Sequence, residues 1–401
     1  MYFLPLARDL GLTRAATSVA FGLGRLEGGF ESPLSGYLAD RFGSRVMVAG
    51  GGILAGLGFI FLSVTHNYST FLIVYVGVLT LGINAGFNHG VMAAINQWFI
   101  RRKGLAMSMT SMGNSLGGAT ITPAVAFIVL SAGWRTASSI SGVVMLAAVI
   151  PLSFVFRNSP ESMGLLPDGD EALATAARLS SNPESSRFGR HVTTVDYTAK
   201  EAFCTRSYWL LTLAMGLRMA APTGVFVHLV PLMVWKGQTE ATGAFVVALV
   251  AFASVPLRVF IGWMGDKWAK QKTVGITMFL GAVSLMVLLL SKGGLWQLLI
   301  FATIFAFAES GGGLSWSLIG DFFGRRSFAT LRGWISAAHG FMSMGAPVFA
   351  GWVYDVTGSY SNALIPMAGV YLLAALLFWH LPKPGLPIRV TELTPGALTA
   401  G

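Results

Sequence analysis

Long apolar blocks separated by short polar ones dominate this chain. With their flanks, eleven such blocks cover residues 15–39, 46–65, 68–100, 104–134, 136–156, 207–235, 241–265, 273–291, 293–320, 333–354 and 356–382. A helix rises about 1.5 Å per residue, so roughly 20 apolar residues cross a hydrocarbon layer ~30 Å thick. Each block is long enough, and the pattern predicts an all-α membrane protein. Composition agrees: of 401 residues, 54% are hydrophobic and 11% charged, against roughly 25% charged in an ordinary soluble domain.

The net charge of +10 invites a nucleic-acid reading, but the placement of the basic residues explains it better. If the segment after the first block is cytoplasmic, that side holds 19 of the 27 Lys and Arg. They include Arg41, Arg45, Arg101 to Lys103, Lys267, Lys270, Lys272, Arg325, Arg326, Arg332, Lys383 and Arg389, with six in the central segment. This is the positive-inside distribution, and it predicts a multi-pass cell-membrane protein with cytoplasmic central segment and C-terminus, the bilayer as partner and no nucleic acid. Cys204 stands alone, so no disulfide framework or thiolate metal site is built. Nothing in the sequence calls for a cofactor.

The polar segment 157–206 divides five blocks from six. The predicted organisation is an N-terminal bundle over 1–156, a cytoplasmic loop over 157–206, a C-terminal bundle over 207–382 and a cytoplasmic tail over 383–401. Within the loop, Tyr197 to Thr205 reads as a short amphipathic helix on the membrane surface. The two bundles repeat. Gly36-Tyr-Leu-Ala-Asp40-Arg41 returns as Gly262-Trp-Met-Gly-Asp266-Lys267, 226 residues on. Trp98-Phe99 before Arg101-Arg102 returns as Phe322-Phe323 before Arg325-Arg326, and Pro123 returns as Pro347.

At these residues the chain resembles a known family. Gly36-x-Leu38-x-Asp40-Arg41-x-Gly43-x-Arg45 is similar to the signature loop between the second and third helices of the major facilitator superfamily. The resemblance implies two pseudo-symmetric six-helix bundles and alternating access by rocking of one against the other. It implies a gating role for Gly36, Asp40, Arg41 and Arg45, with Asp266 and Lys267 as a degenerate counterpart. The family's first helix is not found: Tyr2 to Gly11 resembles only its outer end, and the expectation is that a segment of roughly 20–30 residues encoding it precedes Met1.

Charge inside the blocks is the sharpest chemical signal, because a charged side chain at the bilayer centre costs at least ~2.5–3.5 kcal/mol without a partner or water. Glu27 and Glu31 lie one helical turn apart and Glu309 stands in the ninth block; these three are the proton-coupling candidates, against structural pairing with Arg25 or Arg218. Arg218, Arg258, His228 and His339 are the substrate-binding candidates. Glycines at 82, 86 and 90, and at 113 and 117, mark helix-packing stripes. No phosphate-binding loop, nucleophile elbow or zinc-protease motif is present, so the sequence points away from an enzyme.

Within the superfamily the chain resembles the monocarboxylate and oxalate/formate porters, through Arg258 in the eighth helix, Trp98-Phe99 with its basic run, Gly133-Trp134-Arg135, and Ser159-Pro160-Glu161 with Gly164-Leu165 and Pro167-Asp168. That implies secondary transport of a small organic anion, by proton symport or by antiport. Ser254 occupies the place of the acid that many proton-coupled members carry one turn before the arginine. Two other readings stay open: an exporter of drugs or metabolites with the same fold, and a non-transporting membrane sensor.

Overall fold

The computed structural model describes residues 9–10, 14–169, 196–385 and 387. Among them the regular secondary structure is entirely helical. Hydrocarbon offers no partner for a free amide, and a helix satisfies its own backbone bonds, so long apolar blocks fold this way. The N-terminal half contains α1 (Arg14–Phe42), α2 (Ser44–Ser63), α3 (Tyr68–Trp98), α4 (103–132) and α5 (134–155). The last two form one 53-residue run that turns at Gly133, whose φ of +84° only glycine adopts without strain. Arg135 fixes the turn by donating to the Thr65 carbonyl at 2.7 Å and covering the Trp134 ring.

The short α6 (Ala199–Phe203) precedes the C-terminal half: α7 (Arg206–Val227), α8 (Leu229–Trp235), α9 (Glu240–Lys267), α10 (Lys270–Leu290), α11 (Leu295–Glu309), α12 (Gly312–Phe323), α13 (Phe328–Thr357) and α14 (Ser361–Trp379). Among the described residues eight helices are long and apolar enough to cross a membrane by composition, with α11 and α12 counting as one broken crossing and α4–α5 as one run. Adding α5 as its own crossing, and α1 and α13, which carry Glu27, Glu31 and Arg332 and are more polar, gives the eleven rods of the sequence pattern.

The glycine stripe of α3 packs as expected: a Cβ on Gly82 or Gly86 would strike the α2 backbone at Gly51 and Ala55. The stripe on α4 does not; nothing described lies within 4 Å of Cβ positions at Gly113 and Gly117. In the C-terminal half the matching region is filled, since Met342 of α13 sits against Gly216 of α7. Among the described residues α7 has no counterpart in the N-terminal half.

The halves meet at the end of the molecule that carries the basic clusters, hereafter the basic end. Asp40 at the end of α1 accepts hydrogen bonds from the backbone N–H of Ala329 (3.0 Å) and Thr330 (2.7 Å), the start of α13. Asp266 at the end of α9 accepts from Gly104 (2.9 Å) and Leu105 (2.8 Å), the start of α4. Each carboxylate thus caps a helix of the opposite half, where orphan N–H groups and the positive end of the helix dipole favour an anion. Gly36 lies against the Ala329 carbonyl and Gly333 against that of Ser32, so a side chain at either would part α1 from α13.

Side chains of the central segment reinforce this end. Asp168 accepts from Ile100 and Arg101 N–H at 3.0 and 2.8 Å, and Asp196 from Arg325 N–H at 2.6 Å, the equivalent loop of the other half. Arg325 also donates to the Gln97 carbonyl and side chain and to Glu161, tying the halves together. Burial pushes the Glu161 carboxyl up, but its bonds to Arg325 outweigh that and hold it below the usual carboxylate range. Helix α6 carries a capping box between Thr198 and Glu201. It is the short helix expected there, and Tyr197 before it is 1% exposed and donates its N–H to the Phe323 carbonyl, so this segment docks on the C-terminal bundle.

Removing one cap by Asp40→Ala costs about 1 kcal/mol, a roughly fivefold shift toward parted halves. With Ser108→Cys as the probe, a site fully buried beside Gly262 and Gly313, in a Cys204→Ser background, maleimide labelling should quicken by about that factor. An unchanged rate would show that the cap does not hold this end closed.

Candidate functional site

Arg258 lies eight residues from Asp266 along α9, about 12 Å above the basic end and close to mid-depth in a ~30 Å layer. Its side chain is half-buried and donates from Nη1 to the Ser111 carbonyl of α4 at 2.9 Å, reaching across from one half to the other. The break between α11 and α12 falls at Glu309-Ser310-Gly311, where three glycines (311–313) follow Ser310 and the helix cannot continue cheaply. The break leaves Glu309 at a helix end inside the bundle.

Arg218 of α7 is 2% exposed and fills the space beside Gly312, whose Cβ position is 3.6 Å from Nη2. Glu309 acts electrostatically on both Arg218 and Arg258, and the Tyr371 hydroxyl of α14 belongs to the same group. Glu309 Oε1, Arg218 Nε and the Tyr371 hydroxyl are buried with no hydrogen-bond partner among the described residues. Buried polar atoms are normally satisfied, so this is a cluster with bonding capacity in reserve. Two guanidinium groups against one carboxylate give it a net positive charge when all three are ionised.

The cluster extends toward α13. His339 stands edge-on to Trp316 (centroids 5.9 Å), and Arg332 lies over the same indole at 4.6 Å. Arg332 then donates from Nη1 to His89 Nδ1 at 3.1 Å, and His89 Nε2 faces Ser32 Oγ at 3.1 Å. Arg332 is therefore not a loop residue, as its nearness to Arg325 and Arg326 suggests. It is the fifth residue of α13 and 6% exposed. On α1, Glu31 accepts from Ser35, keeps Oε1 without a partner and acts electrostatically on Arg332. Glu27, one turn away, faces the Asn84 side chain of α3, with neither carboxylate oxygen in a hydrogen bond of good geometry.

The remaining candidates lie apart from this line. His228 interrupts the helix between α7 and α8, with Nδ1 against the Tyr360 hydroxyl (3.1 Å) and Nε2 against the Pro347 carbonyl (3.0 Å); both ring nitrogens serve to brace that break. Arg41 bonds Tyr37 and Arg45 bonds the Ser153 carbonyl, so both stay within the N-terminal half. Lys267 lies over Trp263 of its own helix at 4.1 Å. Gly36, Asp40 and Asp266 are the members of the gating set that cross between halves. An apolar groove of 560 Å³ lined by Phe87, Val91, Trp98 and Val149, with Arg157 at its edge, lies within the N-terminal half and holds none of the candidate site residues. Sequence reasoning does not reach Tyr371 and places Arg332 with the basic loop residues; His89 is legible only as a histidine within a span, with a weaker claim to a ligand or proton-relay role than His228 and His339.

A family model described as Major Facilitator Superfamily matches residues 1–236 and 224–396. Human monocarboxylate transporter 6 is 25% identical over 86% of this chain and 68% of its own length. The oxalate:formate antiporter of Oxalobacter formigenes is 24% identical over 98% of this chain and 90% of its own. The crystal structure of the transporter FucP in its outward conformation superposes with a TM-score of 0.70 over 95% of this chain and 94% of that one, at 14% identity. Fold, internal repeat and family model agree: the chain belongs to the Major Facilitator Superfamily, whose members are transporters and not enzymes.

Proposed function

We propose that this protein is a secondary transporter of small organic anions that works by alternating access, with Arg258 receiving the substrate carboxylate. The observation that carries the reading is the excess of positive charge at mid-depth: Arg218 and Arg258 share Glu309. Substrates of such folds bind near the bilayer midplane. A guanidinium presents a planar fork that takes a carboxylate through two parallel bonds, and Arg258 is the half-buried member of the pair. The similarity to a monocarboxylate transporter and an oxalate:formate antiporter supports the same substrate class.

By the positive-inside rule the basic end is cytoplasmic. Its closure then corresponds to an outward-facing state, the state named for the FucP crystal structure. Substrate seated on Arg258 competes with the Ser111 carbonyl for the guanidinium, so binding loosens a bond between the halves and favours rocking. A charge-assisted hydrogen bond contributes about 1.5–3 kcal/mol. Arg258→Gln, which removes the charge and the fork, should therefore reduce monocarboxylate or oxalate uptake into proteoliposomes by about 10–100-fold or more, while Arg258→Lys keeps the charge and should lose less. Unchanged affinity in Arg258→Gln would transfer the protein to the exporter reading, which needs no arginine here.

Ser254 offers no acid beside Arg258, so we assign any proton coupling to Glu27, Glu31 or Glu309. Neutralising each to Gln in turn should convert pH-driven accumulation into simple equilibration in at least one variant. If accumulation survives all three, coupling lies elsewhere; if the parent protein shows no response to a pH gradient yet exchanges anions, the protein is an antiporter.

A further inference from the structure

Arg332 comes from the C-terminal half and ends in a pocket of the N-terminal half built by α1 and α3. A guanidinium has no acceptor atom. His89 Nδ1, at 3.1 Å from Arg332 Nη1, must therefore offer its lone pair, which makes the imidazole neutral with its proton on Nε2. That proton points at Ser32 Oγ, 3.1 Å away, and Ser32 passes its own on to the Gly28 carbonyl. The chain of donors has one direction, from Arg332 through His89 and Ser32 into α1, and no second arrangement keeps every bond.

His89 reaches this position because α3 is π-helical over Asn84–Gly90. Such segments are rare and mark places where a side chain is re-aimed. His89 is 2% exposed and Arg332 is braced from behind by Trp316. The contact sits one turn above the Asp40 cap on Ala329 and Thr330, so parting of the halves at the basic end breaks both together.

We propose that His89 and Arg332 form a proton-sensitive clasp between the two halves, closed only while His89 is neutral. A proton arriving on Nδ1 takes the lone pair that Arg332 uses and sets two cations face to face. Protonated His89 therefore belongs to the open form of the basic end, where water reaches it, and acidification on that side favours opening. The other charged groups facing the clasp are Glu31 and Glu27 of α1, Asp40 at the α1 terminus, and His339 of α13. The residues of α2 that border this part of α3, Met47, Val48 and Gly51, carry no titratable group. This inference rests on alternating access alone and not on the identity of the substrate.

The test needs no substrate. In a Cys204→Ser background, spin labels at Val46→Cys and Trp268→Cys, exposed sites near the basic end of either half, report their separation in nanodiscs by double electron–electron resonance. With a solvated histidine titrating at about 6.5, lowering the pH from 8 to 5.5 should raise the ratio of parted to closed molecules by up to about tenfold. His89→Gln, which cannot titrate, should abolish most of that response, whereas His66→Gln, an exposed site at the opposite end of the N-terminal half, should leave it in place. Arg332→Gln should raise the parted population already at pH 8, and Arg332→Lys, which keeps a donor and a charge, should restore closure in part. A response that persists in His89→Gln, a parent protein insensitive to pH, or an Arg332→Gln variant as closed as the parent at pH 8 would each overturn the clasp. Arg258→Gln should raise the parted population at both pH values, because it loses the bond to Ser111, yet keep the response to pH, so failure of the clasp and failure of the anion reading are separable.

Discussion

A carboxylate at the end of one bundle, accepting two backbone N–H groups at the start of a helix in the other, is the contact on which the closed arrangement depends. Asp40 does this to α13 and Asp266 does it to α4. Charge-assisted bonds to a helix start are strong enough to define a state, yet each contributes only on the order of 1 kcal/mol beyond what water offers. That scale suits a transporter. An interface held by tens of kcal/mol could not be parted by the differential affinity of a small ligand, whereas a few kcal/mol can be overcome in every cycle. Both caps lie at the same end, so the proposed rocking of the halves would break them together.

The charges inside the bundles follow a division of labour between the halves. Among residues whose side chains are described, α1 contributes the carboxylates Glu27 and Glu31, while the C-terminal half contributes Arg218, Arg258 and Arg332 with Glu309 among them. Burying an unpaired charge costs far more than burying an apolar side chain of like size, and a buried pair is weak evidence of stability. Retaining several of them therefore points to states in which they are exchanged for water, a proton or a ligand. The unbonded Glu309 Oε1 and Arg218 Nε fit that picture.

The architecture is legible in the sequence because its causes are local: some 20 apolar residues make a crossing, and a repeated Gly-x-x-x-Asp-basic motif marks equivalent loops. What sequence does not show arises between distant segments. Arg332 reads as a loop residue beside Arg325 and Arg326, because nothing local announces that α13 starts at Phe328; its cap is Asp40, 289 residues away. The same holds for Asp168 and Asp196, which look like linker residues and prove to cap the loops at 100–101 and 325–326. Tyr371 is invisible within an apolar helix, and the π-helical turn that aims His89 leaves no compositional trace.

The repeat makes its departures informative. Asp40 caps Ala329 and Thr330 as Asp266 caps Gly104 and Leu105, so positions 225 residues apart face equivalent surroundings. By that register Arg332 matches Met107, fully buried and apolar, and by the 226-residue offset of the signature loop Arg258 matches Ser32. Two scaffolds of the same shape thus differ at these two positions by a cation carried in the C-terminal half. Symmetry of shape lets the halves rock between two comparable arrangements, since each half packs against the other through like surfaces. On the proposed function, the asymmetry of charge is what would make those arrangements respond differently to an anion or a proton. Arg258 holds an α4 carbonyl and Arg332 holds a ring of α3, so both cations reach out of the C-terminal half into the N-terminal one. On the proposed function, a ligand that draws either cation away from its partner would act on this one interface.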